Sequence, residues 1–318
     1  MKNKKVAIII VNWNGKKFIK DCLNAVFKQT HKKFKVYLVD NGSTDGSSDF
    51  VNKIFPQTKI IQLDKNYGFA KGNNVGIKEA FKDKSIKYIV CLNNDTIVDK
   101  NWLKEMVKTA GSNNKIGAVG SVSLYPNKTI QNAGIRLLKS KTFNEDYLGA
   151  MSIGYGKPSN HFKRDFKIFA PSGVSALYKR EMLEELGLFD EDFFSYCEDI
   201  DMGFRIKLSK WSCFCSARSK LIHFHSQTTG LGSPFKAYYS KRNGYFLAMK
   251  YFSFLDIVLF PFRDIIWNFR NLFKKSKLNS VNKLKKNMGF LGLFWIMLRI
   301  YLSVLFYASK MLFKIWNN

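Results

Sequence analysis

Over the first 110 positions the apolar residues come in short blocks. Residues 6–11, 35–39, 59–63 and 88–92 are apolar runs of five or six positions bounded by Asn, Gly or Asp, the length and punctuation of buried strands. Between them, 16–29, 47–55 and 69–81 are long enough for helices. The resulting β-α-β-α-β-α-β order predicts a parallel sheet with right-handed crossovers. Ligands of such sheets bind beyond the carboxyl ends of the strands. Three polar clusters fall there: Asn12-Trp13-Asn14-Gly15, Asp40-Asn41-Gly42-Ser43-Thr44-Asp45 and Asn93-Asn94-Asp95.

Residues 111–180 are less regular, with strands expected at 118–124 and 173–177. A helix at 180–186 is stopped by Gly187, a second helix covers 200–208, and strands follow at 211–216 and 221–224. Cys213 and Cys215 alternate within one of these strands, so both thiols are expected on one buried face. The N-terminal apolar run of six is too short for a secretory leader, which needs about 7–15 apolar residues. The body is therefore expected in the cytoplasm.

Charge changes the picture. The 318 residues carry 52 Lys and Arg against 24 Asp and Glu, a formal net charge of +28. Such an excess suits nucleic acid, an anionic membrane, or a lysine-rich composition with no partner behind it. Its distribution favours the membrane: residues 241–318 hold 14 basic and 2 acidic residues and are also the most aromatic part of the chain. Residues 288–313 are nearly all apolar and long enough to span a bilayer. Arg299 sits midway, at about 2.5–3.5 kcal/mol on insertion scales. At about 100° per residue, Arg299, Ser303, Lys310 and Lys314 form a narrow polar stripe. That pattern predicts an interfacial helix with its lysines toward anionic lipid. A second such element is expected at 252–267, broken at Pro261, followed by a basic linker at 274–286. The expected division is a catalytic domain at 1–240 and a membrane-docking helical tail at 241–318.

Several residues could carry chemistry. Asp95 ends an apolar strand beside two amides, a position that suits oxygen ligation of Mg2+ or Mn2+ and equally an Asx-turn. Glu198 and Asp199 precede a helix that carries Asp201 and Arg205. Carboxylates there cap the helix dipole, or one of them serves as a general base. His223 and His225 alternate at a strand end, where either could complete a metal shell. The turn-rich run from Lys65 to Gly76 leads into a helix N-terminus, where backbone can approach a ligand closely. No dinucleotide-binding Gly-x-Gly-x-x-Gly and no Walker loop is present.

Taken in order, IIIVNWNG at 8–15, VDNGSTDGS at 39–47, NYGFAKGNNVGI at 66–77, LNNDT at 92–96, SGVSALYKREMLEELGLFDEDFFSYCEDIDMGFR at 172–205, HFHSQTTG at 223–230 and YYSKRN at 238–243 closely resemble glycosyltransferase family 2, within it the rhamnosyltransferase-like branch. The resemblance covers about 5–245. It implies a GT-A fold, α/β with a mostly parallel central sheet, and inverting, metal-dependent transfer from a nucleotide-diphosphate sugar, dTDP-rhamnose ahead of a UDP-hexose, to a lipid-linked or polysaccharide acceptor. By that resemblance Asp40 would contact the base, with the backbone around Val11, Asn12 and Asn14 in the same pocket. Asn66, Gly68, Asn73 and Asn94 would border the ribose and diphosphate, and Arg242 would face the diphosphate. Asp95 would bind Mn2+ or Mg2+ as the last position of the family's D-x-D, with His223 ahead of His225 as its companion. Asp199 would deprotonate the acceptor hydroxyl, with Glu198, Asp201 and Arg205 around it. Asn93 stands where the first D-x-D aspartate is usual, which removes one charge near the metal.

Two other classes are weighed against this. A nucleotidyltransferase should carry a Gly-rich basic signature after the first strand, and Asn12-Trp13-Asn14-Gly15 is not one. A non-catalytic sugar-nucleotide scaffold would not need both the metal and the base positions filled. The expected location is the cytoplasmic face of the membrane, held peripherally, with no nucleic-acid partner.

Overall fold

The computed structural model describes residues 5–137, 150–224, 233–251, 292 and 295–310. These residues fall into two compact units, one holding 5–137, 150–194 and 198–224, the other 195–197 and the residues after 232.

The first unit is a three-layer α/β arrangement. Strands β1 (Lys5–Asn12), β2 (Phe34–Asn41), β3 (Lys59–Leu63) and β4 (Ile86–Asn93) alternate with helices α1 (Lys16–Phe27), α2 (Ser47–Ile54) and α3 (Gly68–Phe81). β1 pairs in parallel with β2 and β4, and β2 with β3. After β4 come β5 (Thr96–Val98), α4 (Trp102–Ser112), β6 (Ile116–Leu124), β7 (Ile130–Asn132), β8 (Ile135–Leu137), β9 (Ala150–Ser152), β10 (Phe166–Ile168) and β11 (Ser175–Lys179). Helices α5 (Arg180–Leu186) and α6 (Glu198–Lys207) precede β12 (Ser212–His223). The main sheet runs β10-β12-β6-β11-β4-β1-β2-β3, with β5 on β12 and β7 on β6. β11 is antiparallel to both β4 and β6, while β12 and β6 are parallel.

The uninterrupted apolar runs are explained by burial on both faces of the sheet. In β1, Ala7 and Ile9 face one core with Ile77 and Ala80 of α3, Met182 of α5 and Met202 of α6. Val6, Ile8 and Ile10 face the other, with Ile19 and Leu23 of α1, Val51 of α2 and Trp102 and Met106 of α4. The predicted strands and helices of the first 92 residues are all present. So is the stop at Gly187, whose φ of +82° lets its N–H close back on Leu183. The Cys213 and Cys215 side chains lie in the same core, and burial pushes the Cys213 thiol up to about 12.

Three details differ from expectation. The strand expected at 173–177 lies at 175–179. The two strands expected at 211–216 and 221–224 are one, because β12 pairs with β6 on both sides of an irregularity between Ser216 and Lys220. Helix α4 was not anticipated.

The second unit contains α7 (Pro234–Tyr251) and a helical stretch at 295–310. Tyr245, Ala248 and Ile300 form its small core. The expected boundary at 240 falls inside α7. The elements expected at 252–267 and 274–286 lie outside the described residues, as does Lys314. Among the described residues no helix is long and apolar enough to cross a membrane.

The polar stripe of the 295–310 helix corrects the expectation. Ser303 Oγ is 2.6 Å from the Tyr238 hydroxyl, and the Arg299 guanidinium lies 5.2 Å from the centre of the Tyr238 ring. The stripe's first half is thus engaged by α7, because periodicity marks a distinct face without saying what covers it. The outward face is apolar: Trp295, Leu298, Leu302, Leu305 and Phe306 are exposed.

Candidate functional site

The site is built from the carboxyl ends of β1, β2, β4 and β12 and the turn before β11. Asn12 ends β1 wholly buried and donates to Ser47 Oγ at 2.8 Å, while its Oδ1 accepts from Asn94 Nδ2 at 2.8 Å. Asn14, at φ +50°, accepts from Thr44 N–H at 2.8 Å through its side-chain oxygen, and its own N–H donates to Ser43 Oγ at 3.0 Å. The loops after β1 and β2 are therefore laced together. Next to Asn12, Val11 is half-buried.

Asp40 is buried at the end of β2, its Oδ2 accepting from Gln62 Nε2 at 3.1 Å and its Oδ1 from Ser43 N–H at 3.3 Å. Gln62, on β3, was not anticipated as its partner. Asn41 Nδ2 reaches Asn66 Oδ1 at 3.0 Å and the Gly68 carbonyl at 3.1 Å. Gly68 opens α3 at φ +84°, and a Cβ there would stand 2.4 Å from the Phe194 carbonyl. Only glycine accepts both the left-handed conformation and that approach. Gly68→Ala should therefore lower stability by about 2 kcal/mol or more, read as a fall in Tm. Asn73 is buried and donates to Phe69 O within its own helix.

At the end of β4 the two asparagines and the aspartate separate. Asn93 N–H donates to Val174 O at 3.0 Å, and Asn93 O accepts from Thr96 Oγ1 at 2.7 Å. Asp95 is buried, and its Oδ1 accepts no hydrogen bond among the described residues. His223 Nε2 stands 3.2 Å from that oxygen. The approach is set by backbone pairing, since His223 is opposite Thr96 in the β5–β12 ladder and Phe224 N–H bonds Asp95 O at 3.1 Å. Asp95 also lines a cleft of about 190 Å³ with Lys17, Phe18, Asp21 and Phe224. None of these four was singled out in the sequence; the Phe18 and Phe224 rings stack at 6.2 Å.

Asp199 lies in the first turn of α6. Its Oδ2 accepts from Gly173 N–H at 2.9 Å and its Oδ1 from Ile200 N–H at 2.8 Å. Burial raises its carboxyl above the usual range, and the backbone bonds from Gly173 and Ile200 hold it down only in part. Glu198, also buried, flanks the same glycine: a Cβ on Gly173 would lie 3.3 Å from Glu198 Oε1 and 3.6 Å from Asp199 Oδ2. The approach to α6 is strained, because Phe194, Tyr196 and Cys197 have φ of 60°, 70° and 69°. Asp201 and Arg205 are committed to one another at 2.9 Å, and Arg205 also binds the Leu186 and Gly187 carbonyls. They join α6 to the end of α5.

In the second unit, Arg242 donates to Asn243 Oδ1 and lies over the Tyr239 and Phe246 rings. Asn243 is wholly buried and donates to the carbonyls of Ser195 and Tyr196 at 2.8 and 2.6 Å. It thereby holds the segment just ahead of Glu198 and Asp199. Sequence reading assigned it no role beyond its place in the 238–243 run, and its neighbours Arg242 and Gly244 carry no local signal of its burial. His225 lies outside the described residues.

Residues 7–187 match the family described as Glycosyl transferase family 2. The chain is 27% identical over 226 residues to the O-antigen biosynthesis protein RfbC of Myxococcus xanthus, covering 70% of this chain and 17% of that protein. It is 27% identical over 205 residues to the poly-beta-1,6-N-acetyl-D-glucosamine synthase of Staphylococcus epidermidis, covering 64% of this chain and 46% of that one. The matches thus span less than half the length of these relatives. Among solved structures, a Pyrobaculum calidifontis mannosyltransferase in complex with GDP-Man and Mn2+ superposes with a TM-score of 0.57 at 15% identity, over 98% of this chain and 87% of that one. GalNAc-T7 with UDP, GalNAc and Mn2+ gives 0.61 at 14% identity, over 94% and 57%. Fold and profile agree: the chain has the GT-A fold and belongs to glycosyl transferase family 2.

Proposed function

We propose that the chain is an inverting, metal-dependent glycosyltransferase of cell-surface glycan assembly, moving a sugar from a nucleotide-diphosphate donor to a polysaccharide or lipid-linked acceptor. The observation that carries the reading is the buried Asp95 oxygen with no hydrogen bond among the described residues, 3.2 Å from His223 Nε2. A buried carboxylate oxygen so placed is stabilised by a cation beside it. Carboxylate with imidazole suits Mn2+, and carboxylate alone also suits Mg2+. Asp95 and His223 would hold the ion, which when bound neutralises charge on the departing diphosphate.

The chain's own residues supply the rest. Asp40 at the end of β2 is proposed to take the nucleoside base, and the loops around Val11, Asn12, Asn14, Asn66, Gly68, Asn73 and Asn94 to form the remainder of the donor pocket. Asp199 accepts two backbone N–H bonds and retains lone pairs for the proton of an acceptor hydroxyl. Its raised carboxyl makes it the better base once ionised. The names of the relatives, O-antigen biosynthesis and poly-beta-1,6-N-acetyl-D-glucosamine synthesis, support a glycan acceptor.

The test is thermal shift with UDP, dTDP, GDP and CDP, each with and without Mn2+ or Mg2+. A metal-dependent stabilisation by one nucleotide is expected, dTDP pointing to a rhamnosyl donor and UDP to a hexosyl donor. No shift in folded protein would overturn the reading in favour of a scaffold.

The proposal extends to docking on the cytoplasmic face of an anionic membrane, supported by the exposed Trp295, Leu298, Leu302, Leu305 and Phe306 and by the basic excess of 241–318. Burying a Leu or Phe side chain stabilises by about 1.5–3 kcal/mol, so replacing Leu302 and Phe306 together by Ser should weaken binding to anionic vesicles on the order of 100-fold. Flotation measures it, and unchanged flotation would exclude this face.

A further inference from the structure

His223 has two ring nitrogens, and only Nε2 is directed at Asp95. The other, Nδ1, lies 2.6 Å from Gln131 Oε1 in a buried contact. Gln131 comes from β7, a three-residue strand on the edge of β6. Register explains how it arrives there. Ser123 is opposite Asn132 and Leu124 opposite Ile130, so one step along β6 answers two along β7, and Gln131 is the unpaired extra residue. A bulge of this kind turns one side chain out of the alternation and re-aims it. β12 pairs with the other edge of β6, Leu221 opposite Ser123 and Ile222 opposite Leu124, so His223 follows one residue beyond the step that carries the bulge. Two independent pairings of β6 thus converge on the Gln131–His223 contact. Gln131, His223 and Asp95 are all at least nine-tenths buried.

We propose that Gln131 is a positioning residue for His223: its side-chain oxygen accepts the Nδ1 proton, which fixes the tautomer and ring plane and leaves the Nε2 lone pair facing Asp95. The inference rests on the reading of Asp95 and His223 as the cation site. A carbonyl oxygen can only accept, so a bond to it requires the proton on Nδ1. The neutral ring then carries its acceptor lone pair on Nε2. In that neutral tautomer, without a cation, the Nε2 lone pair faces the carboxylate oxygen at 3.2 Å. The arrangement is suited to holding a cation between them. Partners behind a ligating histidine typically control affinity by about 10–100-fold.

The test uses the full chain and two variants, Gln131→Leu, which removes the acceptor, and Gln131→Glu, which keeps one. Nitrogen-15 NMR of the histidine rings in metal-free protein reads the tautomer of neutral His223 directly. The Nδ1–H form is expected in the parent and in Gln131→Glu, with a mixture or the Nε2–H form in Gln131→Leu. Mn2+ titration followed by electron paramagnetic resonance should show about 10- to 100-fold weaker binding in Gln131→Leu and near-parent binding in Gln131→Glu. An Nε2–H ring in the parent overturns the proposal. So does a Gln131→Leu variant with parental tautomer and affinity, or a folded Gln131→Glu as weak as Gln131→Leu. If Gln131→Leu fails to fold, the parent spectrum and Gln131→Glu still decide. A parent that binds no Mn2+ yet shows the Nδ1–H ring removes the cation reading and leaves the orientation by Gln131 standing.

Discussion

Asp199→Asn should cut glycosyl transfer by about 100- to 10,000-fold, the usual contribution of a general base, while leaving nucleotide binding within a few-fold of the parent. The substitution preserves volume but replaces one acceptor oxygen by an NH2 group. Because Gly173 N–H and Ile200 N–H each point at a different Asp199 oxygen, one of the two bonds must be lost. A stability decrease of about 1–2 kcal/mol is therefore expected, small enough that the variant can be assayed folded. Equal loss of donor binding would remove Asp199 from the role of base. The parent's pH profile carries the same signature. Burial raises the Asp199 carboxyl, so transfer should fall on acidification at a pH above the ordinary carboxylate range. The sign for stability is opposite: a raised folded-state pKa means the native state holds its proton more tightly. That contribution is fully present below the unfolded pKa and is lost as pH rises through the folded one.

Asp95→Asn should separate stability from function in the other direction. Transfer is expected to drop by about 100- to 1,000-fold, as when one fixed electrostatic stabiliser is removed, and the rise in Tm on adding Mn2+ with nucleotide should vanish. In metal-free buffer the variant should be as stable as the parent or more so. It no longer buries a carboxylate oxygen that accepts no hydrogen bond among the described residues, and an amide NH2 can donate to His223 Nε2. Activity assays and melts in EDTA, run side by side, check both halves. A metal-free variant much less stable than the parent would mark Asp95 as a structural residue.

How much of this could be read in advance depended on where the determining force acts. β1, β2 and β4 were legible because burial on both faces makes the apolar run continuous, whereas β3, half-exposed and interrupted by Gln62, was placed at 59–63 by its length and the flanking turn residues. Asp95, Asp199 and His223 stood out as chemistry-bearing residues at element ends, which is where the structure places them. Helix α4 was missed even though Trp102, Leu103, Met106, Val107 and Ala110 carry helical spacing and are buried. The signal there was present and unread. The three-residue strands β5 and β7 to β10 are different: β5, β7 and β10 exist by pairing with longer partners, β8 and β9 by pairing with each other, and all have too few residues to show a period. Gln131 belongs with them: its role comes from a register shift, which no local pattern encodes. The Arg299 and Ser303 row was seen correctly as polar, but its neighbour was set by α7, a tertiary fact.

Two neighbouring peptide groups bear on how the site can change. Gly173 N–H holds Asp199, and the carbonyl of the very next residue, Val174, holds Asn93 on the strand end that delivers Asp95. The two acidic groups are thus gauged against each other by a single dipeptide of backbone, not by flexible side chains. On the roles proposed for Asp95 and Asp199, sequence drift in the surrounding pocket could exchange one sugar or acceptor for another without altering that gauge. New specificities should accordingly arise around the pair, in loops and in the cleft beside Phe18 and Phe224, while the distance between its members stays inherited.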